Sequence, residues 1–282
     1  MNGIDATSRG LVQGGKTGAA KLPRAAVFER ALRRAGTAFM FAVFGIGSLV
    51  VAGIAFPIVA WRQRGDARHV LAQRLIHRCF RAFERLGNVL HLFEVRDSGL
   101  EHLRSGGALV VSNHPTILDV VFLVARMPQA DCIVKLGAWR NPFLRGIVSV
   151  AGYIANADGP AVIDACAQRL RAGRSLIVFP EGTRSPVGGL GDFRRGAARV
   201  ALQSQCLVVP VTITCTPPCL AKGQHWWRVQ AQRMVFTLDV GTPVHPSDWI
   251  GLEGKTSTPR AARQLTAALS DYYESRISHA DA

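Results

Sequence analysis

The sequence predicts an α/β fold: a single domain with a largely parallel central sheet flanked by helices, preceded by an N-terminal hydrophobic, membrane-associated helical segment. Three observations carry that expectation. Short aliphatic runs at 91–95, 108–112, 132–135, 175–179 and 207–213 alternate with helical stretches at 117–126, 138–150, 160–172 and 194–204, and strands spaced by helices of this length build parallel sheets. The stretch from Gly36 to Trp61 carries no charge. As a helix it reaches about 39 Å, against about 30 Å of bilayer hydrocarbon. An apolar fraction of 48% over 282 residues is ample for one sizeable core.

Taken in order, residues 1–23 are rich in Gly, Ala, Ser and Thr without an apolar period, and read as a disordered tail. Residues 24–88 read as the membrane-associated segment. Arginines flank its apolar run on both sides (Arg30, Arg33 and Arg34; Arg62, Arg64 and Arg68), so the positive-inside rule gives no orientation. The long stretch ahead of the apolar run disfavours a signal peptide. Gly45, Gly47, Gly53 and Pro57 leave room for a kink or a re-entrant path. Leu71, Leu75, Phe80, Phe83 and Leu86 then recur near helical spacing, which makes 66–86 an amphipathic helix for the interface or for the domain core. Residues 89–282 form the α/β domain. Pro160 stands at a first helical position and Gly173 just past a helix end. A last strand, 234–240, precedes a closing helix that starts at Thr258 and Pro259 and continues through Leu265, Leu269, Tyr272 and Ile277.

The formal net charge is +15. The cations are scattered among aliphatics, with no zinc-finger or RRM-like signature, so an acidic membrane surface or an anionic substrate is expected and nucleic acid is not. The six cysteines mostly sit in apolar runs. The spacing of Cys215 and Cys219 is not that of a zinc finger, so free thiols and no metal are expected. Trp139-Arg140 and Trp226-Trp227-Arg228 combine indoles with cations, as interfacial anchors and core tryptophans both do.

Two strand ends carry the candidate chemistry. Ser112-Asn113-His114-Pro115-Thr116-Ile117-Leu118-Asp119 ends one aliphatic run, and Phe179-Pro180-Glu181-Gly182-Thr183-Arg184-Ser185 ends another. Functional groups of α/β folds collect at such places. Five residues along a helix turn through about 500°, so His114 and Asp119 meet only if His114 lies in the turn and Asp119 one turn inside the following helix. Pro115 favours that arrangement. The carboxylate then holds an imidazole N–H and raises the ring's basicity. The same residues also suit a helix cap and a dipole partner. No G-x-S-x-G elbow, P-loop or dinucleotide fingerprint is present. In the second turn Arg184 suits an anion, Glu181 a substrate hydroxyl, and Gly182 an approach of backbone amides to an oxyanion.

N-H-x4-D followed roughly sixty residues later by F-P-E-G-T-R-S resembles the glycerolipid acyltransferase family. The family's apolar strand with an internal proline is similar to Val208-Val209-Pro210-Val211-Thr212-Ile213. Its basic stretch is similar to Lys135-Leu136-Gly137 and Asn141 to Gly146. The resemblance covers about residues 90 to 240 and implies that 89–282 is a catalytic domain. It implies His114 as general base on an acceptor hydroxyl, oriented by Asp119, with Asn113, Lys135, Asn156, Glu181, Gly182, Thr183 and Arg184 in substrate binding. The implied donor is acyl-CoA or acyl-ACP, the acceptor a lipid hydroxyl, and no cofactor or metal takes part. A membrane location is expected from the uncharged run at 36–61, with the catalytic domain expected to face the cytoplasm. The sequence departs from the family at Tyr153-Ile154-Ala155-Asn156, where Asn156 replaces an arginine that contacts the acceptor's phosphate. A charge-assisted contact of that kind contributes about 1.5–3 kcal/mol. Its loss widens the acceptor class to lysophospholipids, glycolipids and other hydroxylated lipids. Two rival readings remain: a thioesterase that activates water with the same pair, and a non-catalytic lipid-binding membrane protein.

Overall fold

A computed structural model of the chain describes residues 24–104, 106–156, 159–221, 223–224, 232–251 and 258–280. The tail expected at 1–23 and the Trp226-Trp227-Arg228 group lie outside them. Seven strands form one sheet in the order β1-β7-β6-β2-β5-β3-β4. They are β1 (Phe93–Ser98), β2 (Leu109–Ser112), β3 (Asp131–Lys135), β4 (Ile154–Asn156), β5 (Leu176–Val178), β6 (Val208–Thr216) and β7 (Met234–Val240). Every pairing is parallel except that of β6 with β7. The central strands β2 and β5 are buried throughout, as continuous aliphatic runs of a two-sided sheet require.

Helices α1 (Arg24–Val50) and α2 (Phe56–Arg62), joined by a π-helical turn at Val51–Ala55, make one rod. Phe28–Arg62 has a mean hydropathy of 2.3 over its most apolar window, of which 11% is buried. Length and composition suffice to cross a bilayer. Trp61 is 82% exposed, Ile46 63% and Ile54 59%. The chain then reverses into α3 (Gly65–Val89), and the rings of Phe44 and Phe83 meet edge-on at 5.5 Å. The inner face of α3 buries Ala72, Gln73, Ile76 and His77, so this amphipathic helix covers the sheet.

The other helices are α4 (Asp119–Arg126), α5 (Leu136–Arg140), α6 (Pro142–Val150), α7 (Pro160–Arg171), α8 (Gly196–Ser204) and α9 (Pro259–Ala280). Two apolar clusters result, one on each side of the sheet. Phe93, Phe122 and Phe236 centre the first, and Leu170, Leu265 and Tyr273 belong to the second. The Thr258 hydroxyl accepts from the Ala261 amide at 3.1 Å and caps α9. Two expectations need correction. The helix expected at 138–150 is two helices, because Pro142 forces Asn141 out of the helical region (ψ 119°). Strand β4 carried too short an aliphatic signal to be read.

Buried polar links fix the sheet at the end away from the two turns. Asp131, fully buried, accepts from Arg174 Nε at 2.6 Å and Nη2 at 2.7 Å, and from Gln73 Nε2 at 2.8 Å. That amide also donates to the Ala151 carbonyl at 2.9 Å, so α3 is tied to β3. Removing one partner of a buried ion pair typically costs about 3–5 kcal/mol. Asp131→Ala is therefore expected to lower unfolding stability by about 3 kcal/mol, read as a shift in the denaturant midpoint. Arg126 makes a second tie, donating to Asp97 on β1 at 2.8 Å through both Nε and Nη2, and to Glu84 on α3.

On the other face, Pro210 has no N–H to give the ladder beside Val111. The Tyr273 hydroxyl serves both strands there, donating to the Val111 carbonyl at 2.6 Å and accepting from the Val211 amide at 3.2 Å. The closing helix is thus bonded to the sheet directly below the histidine turn.

Candidate active site

Because β2 and β5 are parallel neighbours, with Val111 opposite Val178, both candidate turns emerge side by side at the carboxyl edge of the sheet. The Ser185 amide donates to the His114 carbonyl at 2.7 Å. In return, the His114 amide donates to Glu181 Oε1 at 3.0 Å and to Ser185 Oγ at 3.3 Å.

His114 lies in the turn and Asp119 is the first residue of α4, the turn-then-helix arrangement that the spacing requires. His114 Nδ1 is 2.8 Å from Asp119 Oδ2. The same oxygen accepts from the Thr116 amide at 2.8 Å, and Oδ1 accepts from the Thr116 hydroxyl at 2.5 Å. Asp119 is fully buried, while the His114 side chain is 20% exposed. Burial pushes the Asp119 carboxyl above its ordinary value, and the donors on His114 and Thr116 pull against that. With three donors aimed at the carboxylate, the hydrogen on the imidazole is assigned to Nδ1, which leaves Nε2 as the basic nitrogen. The ring stacks on Phe179, centroids 4.2 Å apart and planes at 23°.

His114 opens on a cavity of about 680 Å³, within the roughly 300–1,000 Å³ common to small-molecule sites. The cavity exists because the sheet parts. β3 pairs with β5 only at Asp131 and Cys132, then leaves it to pair with β4 from Ile133 to Lys135. Phe80, Val124, Ile147, Ile163, Ile177 and Val200 are among the apolar residues that line the opening. Cys132 and Cys166 line it too. Burial, aided by the Asp131 charge, pushes the first thiol up to about 12 and the second up to about 11. Neither presents a thiolate nucleophile at neutral pH.

The structure divides the residues singled out from sequence. Gly182, Thr183, Lys135 and Asn156 line the cavity with His114, and Asn156 stands opposite Lys135 in the β3–β4 pairing. Asn113, expected in substrate binding, is engaged by the fold. Its amide donates to the Ile213 carbonyl at 2.8 Å and accepts from the Ile213 amide at 2.7 Å, so it clamps the turn to β6. Glu181, expected to hold a substrate hydroxyl, is buried and accepts from His114 N, from Ser185 Oγ at 2.7 Å and from Gly191 N at 2.8 Å, so in this conformation it joins the two turns. Arg184 donates to the carbonyls of Leu220 and Ala221 at 2.8 and 3.0 Å and stays outside the cavity. The Gly182 amide donates to the Phe179 carbonyl at 3.0 Å, so it is not an oxyanion donor in this conformation. Trp139 is half-buried with its indole N–H unpaired, and Arg140 is exposed.

Thr116, Ser185, Arg194 and Arg199 were missed. Thr116 lies within the first turn and Ser185 ends the second, so both were in view without a role. The cations of 194–199 were hidden inside an expected helix.

Comparison with known proteins bears on the same region. The Acyltransferase family model matches residues 94–214, which contain both turns. The chain is 32% identical over 143 residues to the chloroplastic 1-acyl-sn-glycerol-3-phosphate acyltransferase LPAT1 of Arabidopsis thaliana, covering 48% of this chain and 40% of that protein. It is 30% identical over 131 residues to a 1-acyl-sn-glycerol-3-phosphate acyltransferase of Helicobacter pylori, covering 43% and 55%. The chain is thus similar to glycerolipid acyltransferases across the region that carries both turns. It spans about half the length of the curated relatives it matches. Among solved structures, the 1-acyl-sn-glycerophosphate (LPA) acyltransferase PlsC of Thermotoga maritima superposes with a TM-score of 0.64 at 19% identity, covering 91% of this chain and 98% of that one. That likeness establishes the fold, from the N-terminal helices to the sheet.

Proposed function

We propose that the protein is a membrane-associated O-acyltransferase that moves a fatty acyl group from an acyl thioester to the free hydroxyl of lysophosphatidic acid or a related lysolipid. One observation carries the reading: an imidazole oriented by a fully buried carboxylate opens on a large apolar cavity. In the reaction, His114 Nε2 takes the proton of the acceptor hydroxyl as its oxygen attacks the thioester carbonyl. The tetrahedral oxyanion then collapses, the carbon–sulfur bond breaks, and the leaving sulfur takes the proton from His114, which restores the base. Asp119 keeps the ring oriented and offsets the imidazolium charge. Thr183 lines the cavity and makes no hydrogen bond among the described residues, so its donors remain to stabilise the oxyanion.

The names of the relatives support lysophosphatidic acid as the first acceptor to try, and the apolar cavity suits the acyl chain. The donor is acyl-CoA or acyl-ACP. The exposed apolar rod at Phe28–Arg62 supports a membrane location, with the catalytic domain on the cytoplasmic side, where such donors are made. The test is to incubate membranes containing the protein with labelled acyl-CoA or acyl-ACP and a panel of lysolipids, then identify the labelled product by mass spectrometry. A diacylated lipid is the expected result. Labelled free fatty acid alone would make the protein a thioester hydrolase and overturn the proposal.

A further inference from the structure

We propose that Arg194, assisted by Arg199, is the phosphate clamp of this site, replacing the cation that is absent at Asn156. The inference rests on the acyl-transfer reading above and adds the residues that select a phosphorylated substrate. Both arginines line the cavity that contains His114, and both are exposed to it. Neither guanidinium makes a hydrogen bond or ion pair among the described residues, whereas Arg126, Arg174 and Arg184 are all engaged by the fold. A guanidinium held at a cavity wall with its donors unused fits an anion brought by a ligand.

The local backbone is shaped around Arg194. Its amide donates to the Pro180 carbonyl at 2.8 Å, which sets the residue against the second turn. Its side chain then crosses Gly182. A Cβ on that glycine would lie 3.2 Å from Arg194 Nε and 3.3 Å from Cδ. Gly182 also has a φ of +66°, which disfavours a side chain there. The glycine of the turn is the trough along which the arginine reaches the cavity. The first turn of α8 adds to the effect: Gly196 lines the cavity, and no side chain caps the helix. Its dipole favours negative charge at that end. Lys135 lines the opposite, β3 wall beside Asn156. An asparagine at 156 is then consistent with phosphate recognition, because the charge has moved to the α8 side.

Two phosphates qualify: the acceptor's phosphomonoester and the donor's phosphates. Steady-state kinetics on the full-length, membrane-bound protein separates them. Arg194→Gln is expected to raise the KM for the substrate that is clamped by about tenfold or more, with kcat reduced less. Arg194→Lys should recover part of that loss, since it restores charge but not the fork. A rise confined to lysophosphatidic acid, with the KM for acyl-CoA and for the uncharged acceptor monoacylglycerol unchanged, assigns the clamp to the acceptor. A rise confined to acyl-CoA assigns it to the donor. Unchanged KM values, or equal losses with monoacylglycerol and lysophosphatidic acid, overturn the proposal. A binding readout is independent of turnover: phenylglyoxal labelling of Arg194, mapped by peptide mass, with glycerol 3-phosphate or CoA as protectant. Protection by either supports the clamp even if the wild type transfers no acyl group, a result that would sink only the acyl-transfer reading. No protection by either overturns the clamp.

Discussion

His114→Ala is expected to reduce acyl transfer by about a thousandfold while leaving the protein folded. General-base catalysis typically contributes 10²–10⁴-fold, and no other imidazole among the described residues lines the cavity. The side chain is 20% exposed, and its one hydrogen bond among the described residues goes to Asp119. After its removal the carboxylate still accepts from both donors of Thr116. Unfolding stability should therefore fall by no more than about 1 kcal/mol. Product formation from labelled acyl-CoA and a denaturant melt, run on the same preparation, give both numbers. More than a tenth of wild-type activity in a folded mutant would refute the assignment of the base. Asp119→Ala should separate from it, losing activity and also stability, because Thr116 would then keep two buried donors without an acceptor.

Glu181→Ala should produce the opposite signature, a large loss of stability with a secondary loss of rate. Its carboxylate accepts from the His114 amide, the Ser185 hydroxyl and the Gly191 amide. Each buried donor left unmet costs about 1–3 kcal/mol, so the expected loss is about 3 kcal/mol or more. The two turns are joined through this residue, and kcat should fall because His114 is no longer held in register with the second turn. Glu181→Gln, which keeps a carbonyl oxygen for two of the three donors, should be intermediate. A wild-type melting curve combined with a raised acceptor KM in Glu181→Ala would restore the role in substrate binding that the sequence suggested.

Much of this was legible in the residues, for identifiable reasons. Alternating aliphatic and helical stretches gave the strands and the parallel sheet, since a buried strand and an amphipathic helix have different periods. The His114–Asp119 pairing was legible because Pro115 restricts the backbone between strand and helix. Which polar residues face the cavity was not legible. Asn113, Glu181 and Arg184 lie in the same short turns as His114 and Gly182, and sequence does not tell a side chain that binds the neighbouring loop from one that meets a ligand. The bonds that decide it, from Asn113 to Ile213 and from Arg184 to Leu220, span 100 and 36 positions. Arg194 was unreadable for the complementary reason, since its importance comes from the absence of partners. The break at Asn141 was available from Pro142 and was overridden by the apolar pattern around it.

The parting of β3 from β5 has a mechanical consequence. β3 is pinned at one end, where Asp131 holds Arg174 and Gln73 and its amide donates to the Ser175 carbonyl at 2.8 Å. Past Cys132 no ladder bond holds it to β5. With β4 it forms a leaf hinged at Asp131, and Lys135 and Asn156 ride at its free edge. Arg194 stands on the opposite jamb, fixed to the Pro180 carbonyl. Swinging the leaf changes the width of the doorway without breaking a hydrogen bond between β3 and β5. The distance between the positive charges on the two sides of the opening is therefore not fixed by a ladder hydrogen bond.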